Sequence, residues 1–206
     1  MWSHLLCSVT LLCFAGTASA NIYDVAINTS SITGTAGSLD FNFNPGPLLT
    51  QAASLQILNF SSDGSLKASP TLTGDVSGAL AATVTVDNGT PFNDYFQGFT
   101  FGSTLSFQVS LFGPALSSPD GLSTSGSTFA FSMFSDAAGT KPVLTTDTAN
   151  GFAFLANVNL DGTTTAISFV PTAAAPEPSS LRLFGAAIVL AVVVLRRERR
   201  SKAVTS

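Results

Sequence analysis

Apolar residues recur at every second position in short runs across residues 21–171. In SLDFNFNP, Leu39, Phe41 and Phe43 fall on one side and Asp40, Asn42 and Asn44 on the other. Side chains of an extended chain alternate between its two faces, so this period of two predicts strands that are wet on one face and buried on the other. IYDVAIN groups Tyr23, Val25 and Ile27, and TVTVDNG sets Val84 and Val86 against Thr83, Thr85 and Asp87. STLSFQVSLF aligns Leu105, Phe107, Val109 and Leu111, while TFAFSMF aligns Phe129, Phe131 and Met133. GFAFLANVNL and TTAISFV continue the pattern through Phe152, Phe154, Val158, Ile167 and Phe169. Asp63-Gly64, Asn88-Gly89, Asp120-Gly121 and Asp161-Gly162 punctuate the runs with residues that tolerate positive φ. The strong helix formers Glu, Lys and Arg are nearly absent from this stretch. The pattern predicts about eight to ten strands in an all-β antiparallel sandwich, jelly-roll-like. The lack of a strand–helix rhythm argues against a parallel sheet.

Both ends depart from this pattern. Residues 5–14 are mostly apolar, and Ala18-Ser19-Ala20 is a small-residue cleavage site, so residues 1–20 read as a signal peptide for the Sec translocon with Asn21 as the new N-terminus. Residues 172–180 hold two prolines among small residues and form an extended linker. Residues 183–195 are an uninterrupted apolar run, which as a helix spans about 20 Å against about 30 Å of hydrocarbon. Residues 181–195 are therefore expected to form one short transmembrane helix. Arg196, Arg197, Arg199 and Arg200 follow, and with the rest of residues 196–206 they are expected to stay cytoplasmic as a positive stop.

Composition then narrows the chemistry. Cleavage after Ala20 removes His4, Cys7, Cys13 and Trp2, leaving no histidine, cysteine or tryptophan. A Ser-His-Asp or Cys-His nucleophile and a His-ligated metal are thereby excluded, and the fold must rest on its core without disulfides. Residues 21–175 carry ten Asp against Lys67 and Lys141, a formal charge of −8. Such a domain has no basic surface to neutralise phosphates, so nucleic acid is excluded as a partner.

Pro176-Glu177-Pro178, the apolar segment and the terminal arginines together resemble the PEP-CTERM sorting signal of bacteria that make exopolysaccharide. The resemblance implies an exosortase, a membrane cysteine protease-transpeptidase, as the partner that recognises this tail and cuts near Pro176–Pro178. It also implies transient membrane anchoring, followed by delivery to the cell surface or the extracellular matrix. Residues 28–47 (NTSSITGTAGSLDFNFNPGP), residues 92–107 (FNDYFQGFTFGSTLSF), STFAFSMF and GFAFLANVNLDGTT are similar to a recurrent family of PEP-CTERM ectodomains. That family supplies no catalytic residues.

Three readings of function follow. The first is a non-enzymatic structural or adhesive protein of biofilm or envelope, with no cofactor. The second is a carbohydrate-binding module for exopolysaccharide, for which an exposed Tyr95 beside Asp94 and Gln97 would serve, and against which burial of both tyrosines would count. The third is a hydrolase, which needs two Asp carboxylates facing each other in a cleft. Asp147-Thr148-Ala149 resembles the aspartic-protease triplet but has Ala149 in place of glycine and no second copy. Calcium is a weak candidate ligand at Asp63, Asp87, Asp120 and Asp161, because loop oxygens suit it; these residues equally suit plain turns, and no D-x-D-x-D loop is present.

Overall fold

Inward-facing apolar side chains at alternate positions hold two antiparallel sheets face to face. The computed structural model describes residues 20–67 and 69–171, in a unit that ends at Pro171. The strands are β1 (Asn21–Asn28), β2 (Ala36–Pro45), β3 (Ser54–Ser62), β4 (Ser65–Leu66), β5 (Thr71–Thr73), β6 (Val76–Gly78), β7 (Val84–Asp87), β8 (Asp94–Thr100), β9 (Thr104–Phe112), β10 (Ser127–Phe134), β11 (Phe152–Val158) and β12 (Thr164–Ser168). The smaller sheet runs β1-β9-β3-β7-β6. The larger runs β12-β11-β10-β2-β8-β4, with β5 also paired to β8. The ladders β1–β9, β2–β8 and β3–β7 are nested in sequence and alternate smaller, larger, smaller sheet. The expected all-β antiparallel architecture is thus present. The expected signal peptide, the linker after Pro171, the transmembrane helix and the basic tail lie outside the described residues. Among the described residues no helix is long and apolar enough to cross a membrane.

The core is aromatic where the sheets meet. Phe41 and Phe131 of the larger sheet close on Phe107 of the smaller, with ring centroids 4.7 to 5.3 Å apart. The edge-to-face tilts of Phe107 against the other two suit the ring quadrupoles. Val25, Ile27, Leu39, Phe43, Leu55, Ile57, Val84, Val86, Leu105, Val109, Leu111, Phe129 and Met133 complete the layer. Gly37 of β2 is required by space rather than by torsion. A Cβ there would sit 1.9 Å from the Phe134 carbonyl oxygen.

Several elements differ from the alternation read in the sequence. β8, whose faces the sequence leaves unassigned, buries Tyr95, Gln97 and Phe99 and leaves Asp94, Phe96 and Gly98 partly exposed. The buried Gln97 amide is satisfied by the Gly98 carbonyl at 3.0 Å and by the Tyr95 hydroxyl at 3.2 Å. β3 breaks its period at Asn59, whose φ is 53°, where its register against β9 shifts. In β11 a bulge opposite Phe131 and Ser132 brings Ala153 and Phe154 into the core and leaves Phe152 half-buried. Ile167, expected inside, is about half exposed on the edge strand β12. Of the four Asx-Gly turns, Asp161-Gly162 joins two neighbouring strands of one sheet, β11 and β12. Asp63-Gly64 and Asn88-Gly89 instead carry the chain from one sheet to the other.

Strand directions give the sandwich two distinct ends. Asn21, the ends of β2, β7, β9 and β11 and the start of β8 share the upper end, together with loops 46–53, 88–93, 113–126 and 159–163. Asn21 Nδ2 donates to Thr164 Oγ1 at 2.9 Å there. The chain leaves at the lower end, where the Phe169 amide bonds the Ala153 carbonyl.

Candidate functional site

The four Asp proposed as calcium ligands stand at separate turns, each engaged with protein donors. Asp63 accepts from the Ser103 amide at 3.0 Å and from the Thr104 amide at 2.8 Å, pinning the β3–β4 corner to the start of β9. Those two backbone donors hold its carboxyl well below the usual carboxylate range. Asp120 accepts from the Leu122 and Ser123 amides, both at 2.9 Å, and these bonds also lower its pKa. Asp161 accepts from the Thr163 hydroxyl at 2.6 Å and from its amide at 3.0 Å, with the same effect. Asp87 accepts the Ser54 hydroxyl across β3–β7. Among the described residues no three acidic, Cys or His side chains gather as a metal would require. Asp63, Asp120 and Asp161 do the work of turns, and Asp87 ties β7 to β3.

Asp147 serves its own turn as well, accepting from the Ala149 and Asn150 amides at 3.1 Å. The polar-aromatic patch at Asp94, Tyr95 and Gln97 does not form. Period two puts Asp94 outward and Tyr95 inward, and Tyr95 is wholly buried. Its hydroxyl accepts the Leu80 amide at 2.9 Å, so it braces the β6–β7 connection and presents no surface to a sugar. Tyr23 is partly buried against Phe154, with its hydroxyl 2.5 Å from Thr164 Oγ1.

The unusual chemistry lies on the outer face of the larger sheet. Asn42 of β2 stands opposite Asp94 of β8, and Asp40 stands two pairs further along, on the same face and opposite Phe96. Asn42 Nδ2 donates to Asp40 Oδ1 at 2.6 Å. Asp40 and Asp94 lie diagonally across the β2–β8 seam, and a bond between their carboxyls is among the causes of both pKa shifts. Burial first, then that bond and the negative charge of Asp40, push the Asp94 carboxyl up to about 8. Burial also raises Asp40, while the bonds from Asp94 and Asn42 pull it back. Both carboxyls are raised, and one proton shared by the pair relieves the repulsion between them.

Two facing carboxyls are what a hydrolase would need, yet their placement does not suit one. Acid and nucleophile on a glycosidic bond stand about 5 to 9.5 Å apart to admit sugar or water. Here the two Asp lie diagonally on neighbouring strands, on a sheet face. A hollow lies elsewhere, at the upper end between Thr50, Gln51, Ala115, Ser125 and Leu160, and its volume of about 10 Å³ has room for about one water. The pair escaped the sequence reading because β8 carries Phe96 outward and Gln97 inward, which hid the face on which Asp94 lies.

The upper end also gathers exposed apolar side chains. Leu48, Leu49, Phe92, Leu122 and Leu160 all lie on its loops, Leu122 at 74% exposure. Pro176, Glu177, Pro178, Ala18 and Arg196, Arg197, Arg199 and Arg200 lie outside the described residues. Ala20 is exposed, and Asn21 is the first residue of β1. Compared with family models, curated proteins and solved structures, the chain matches none.

Proposed function

We propose that the protein is exported, anchored transiently through its C-terminal segment, processed by an exosortase-type enzyme, and placed at the cell surface or in the matrix as a non-enzymatic structural or adhesive component. The observation that carries this reading is the tripartite tail, in which Pro176-Glu177-Pro178 precedes the apolar run and the arginine cluster. Two features of the fold support it. The first strand begins at Asn21, the residue expected to follow the signal cut, so nothing upstream is needed to build the described sandwich. The last ends at Ser168, and the sorting motif comes a few residues beyond the unit's end at Pro171.

In this reading the sandwich is a jelly-roll-like winding, a long hairpin whose nested ladders β1–β9, β2–β8 and β3–β7 wrap alternately onto the two sheets. The predicted short transmembrane helix follows at residues 181–195. The last described residues lie at the end opposite the apolar-tipped loops, and in this reading those loops meet other matrix components. Exposed apolar groups clustered at one end of a domain are a common mark of contact surfaces.

The test replaces Pro176, Glu177 and Pro178 with alanine in the native host. The variant is expected to accumulate in the membrane fraction, and the strain to form biofilm as poorly as a deletion strain. Unchanged release would sink the sorting reading; normal biofilm in the deletion strain would sink the structural one.

A further inference from the structure

Asp40, Asn42 and Asp94 pose a bonding problem that their geometry cannot solve with two ionised carboxylates. They sit on one face of neighbouring strands, where directly opposed and diagonal side chains come within reach. Asp94 Oδ1 and Asn42 Oδ1 are sealed from solvent and accept no hydrogen bond from a neighbouring N–H or hydroxyl. An ionised carboxylate can only accept, so Asp40 and Asp94 could not bond each other and would instead repel across the β2–β8 seam. One proton removes the repulsion between the two carboxyls. Asp94 then donates to Asp40, and Asp40 collects a second bond from Asn42.

We propose that Asp40, Asn42 and Asp94 form a proton-sharing latch that clips β8 to β2 in acidic and neutral solution and releases it as the medium becomes alkaline. The surroundings add no second titrating group. β10 places Ser132 opposite Asp40 and Ala130 opposite Asn42, and β5 places Thr73 opposite Asp94. Four charged groups reach this side of the domain, at three places. Lys67 lays its stem over Gly98. Asp136 and Lys141 sit on the loop after β10, where the Asp136 carboxylate accepts the Thr140 and Lys141 amides. Asp75 sits at the β5–β6 turn, with its amide on Asn93 Oδ1. The forces that set the proton's place come from burial, from the pair itself and from Asn42. Residues 21–171 contain no His, Glu, Cys or Arg, and burial raises the Tyr95 hydroxyl further. Among the side chains of residues 21–171, the range from about pH 5 to pH 8.5 therefore belongs to the latch.

The sign follows from which state binds the proton. The folded Asp94 titrates above its unfolded value, so the folded chain holds a proton that the unfolded chain gives up. Stability is then full below about pH 4 and is lost as the pH rises through about 8. Loss of the proton places a second negative charge beside Thr73. The three residues of β5 are all exposed, and the strand is held to the larger sheet through β8 alone. Residues 71–78 are accordingly the first to loosen.

The test is amide hydrogen exchange on the full chain in mild detergent at about pH 5.5, 7 and 9, corrected for intrinsic rates. The wild type is expected to lose about tenfold protection over residues 71–78 and 94–97 at the alkaline end, the equivalent of one pH unit of the titration. Asp94→Asn keeps a donor toward Asp40 without a titrating proton, and its protection should be flat with pH. Asp40→Asn removes the bond and the charge that add to the effect of burial on Asp94, so its loss of protection should come at lower pH than in the wild type. If neither folds, carbon-13 carboxyl NMR of the wild type decides: one Asp must titrate above about pH 6. No such resonance, or equal pH responses in wild type and variants, overturns the latch. Protection restored at pH 9 by millimolar calcium and stripped at pH 5.5 by EDTA also overturns it, assigning those oxygens to a metal.

Discussion

At the residue scale, the side chains that matter most are polar ones placed where alternation would put apolar ones. Tyr95 is the clearest case. Its ring fills the core against Phe41 at a centroid distance of 6.1 Å, while its hydroxyl takes up the Leu80 amide and reaches Gln97. Tyr95→Phe keeps the ring and strands a buried N–H, which costs about 1–3 kcal/mol. Chemical denaturation of the full chain should show that loss; an unchanged midpoint would mean that the Leu80 amide finds another acceptor. Phe41, Phe43, Phe129 and Phe131 were legible from the sequence, because each lies in a run whose period never breaks. Tyr95, Gln97 and the Asp40–Asp94 pair were not. Gln97 is tolerated inside because bonds to main chain and to Tyr95 offset its desolvation, and no one-dimensional pattern announces such a partner.

At the element scale, the inward faces of strands with strict alternation were read correctly, while the outward Ala130 and Ser132 of β10 proved buried as well and strands with local irregularities were misread. β2, β7, β9 and β10 bury every inward residue named from the sequence. β11 was misread in detail because its bulge shifts the register by one residue, which sends Phe152 and Phe154 to different environments. The two- and three-residue strands β4, β5 and β6 are too short to show any period. Asx-Gly dipeptides correctly marked breaks, but the change of sheet at two of them depends on tertiary contacts. The Asp63 corner shows how such a turn is held. Its carboxyl lies below the usual range because the Ser103 and Thr104 amides bond the ionised form. A lowered pKa stabilises the fold above the ordinary carboxylate range and is lost as the pH falls through it. Asp120, Asp136, Asp147 and Asp161 act in the same direction. Combined with the opposite slope of the latch, they predict a stability maximum in mildly acidic solution, at about pH 4–6. Thermal unfolding across pH should show that dome, and Asp63→Asn should flatten its acid side. A plateau extending from pH 6 to 9 would contradict the combined account.

At the scale of the whole molecule, the ten aspartates and two lysines of residues 21–171 give an acidic sandwich whose two ends differ in character. The upper end carries Asn21 and the apolar-tipped loops; the lower end releases the chain toward the sorting motif. The central claim is that the segments on either side of this sandwich are addresses that are removed once read. Intact mass of the protein from its native host, with and without the exosortase gene, tests it most directly. The account predicts a chain beginning at Asn21 and ending near Pro176–Pro178 in the parent strain, with the C-terminal cut abolished in the knockout. A C-terminus at Ser206 in both strains would contradict it and make the tail a permanent anchor.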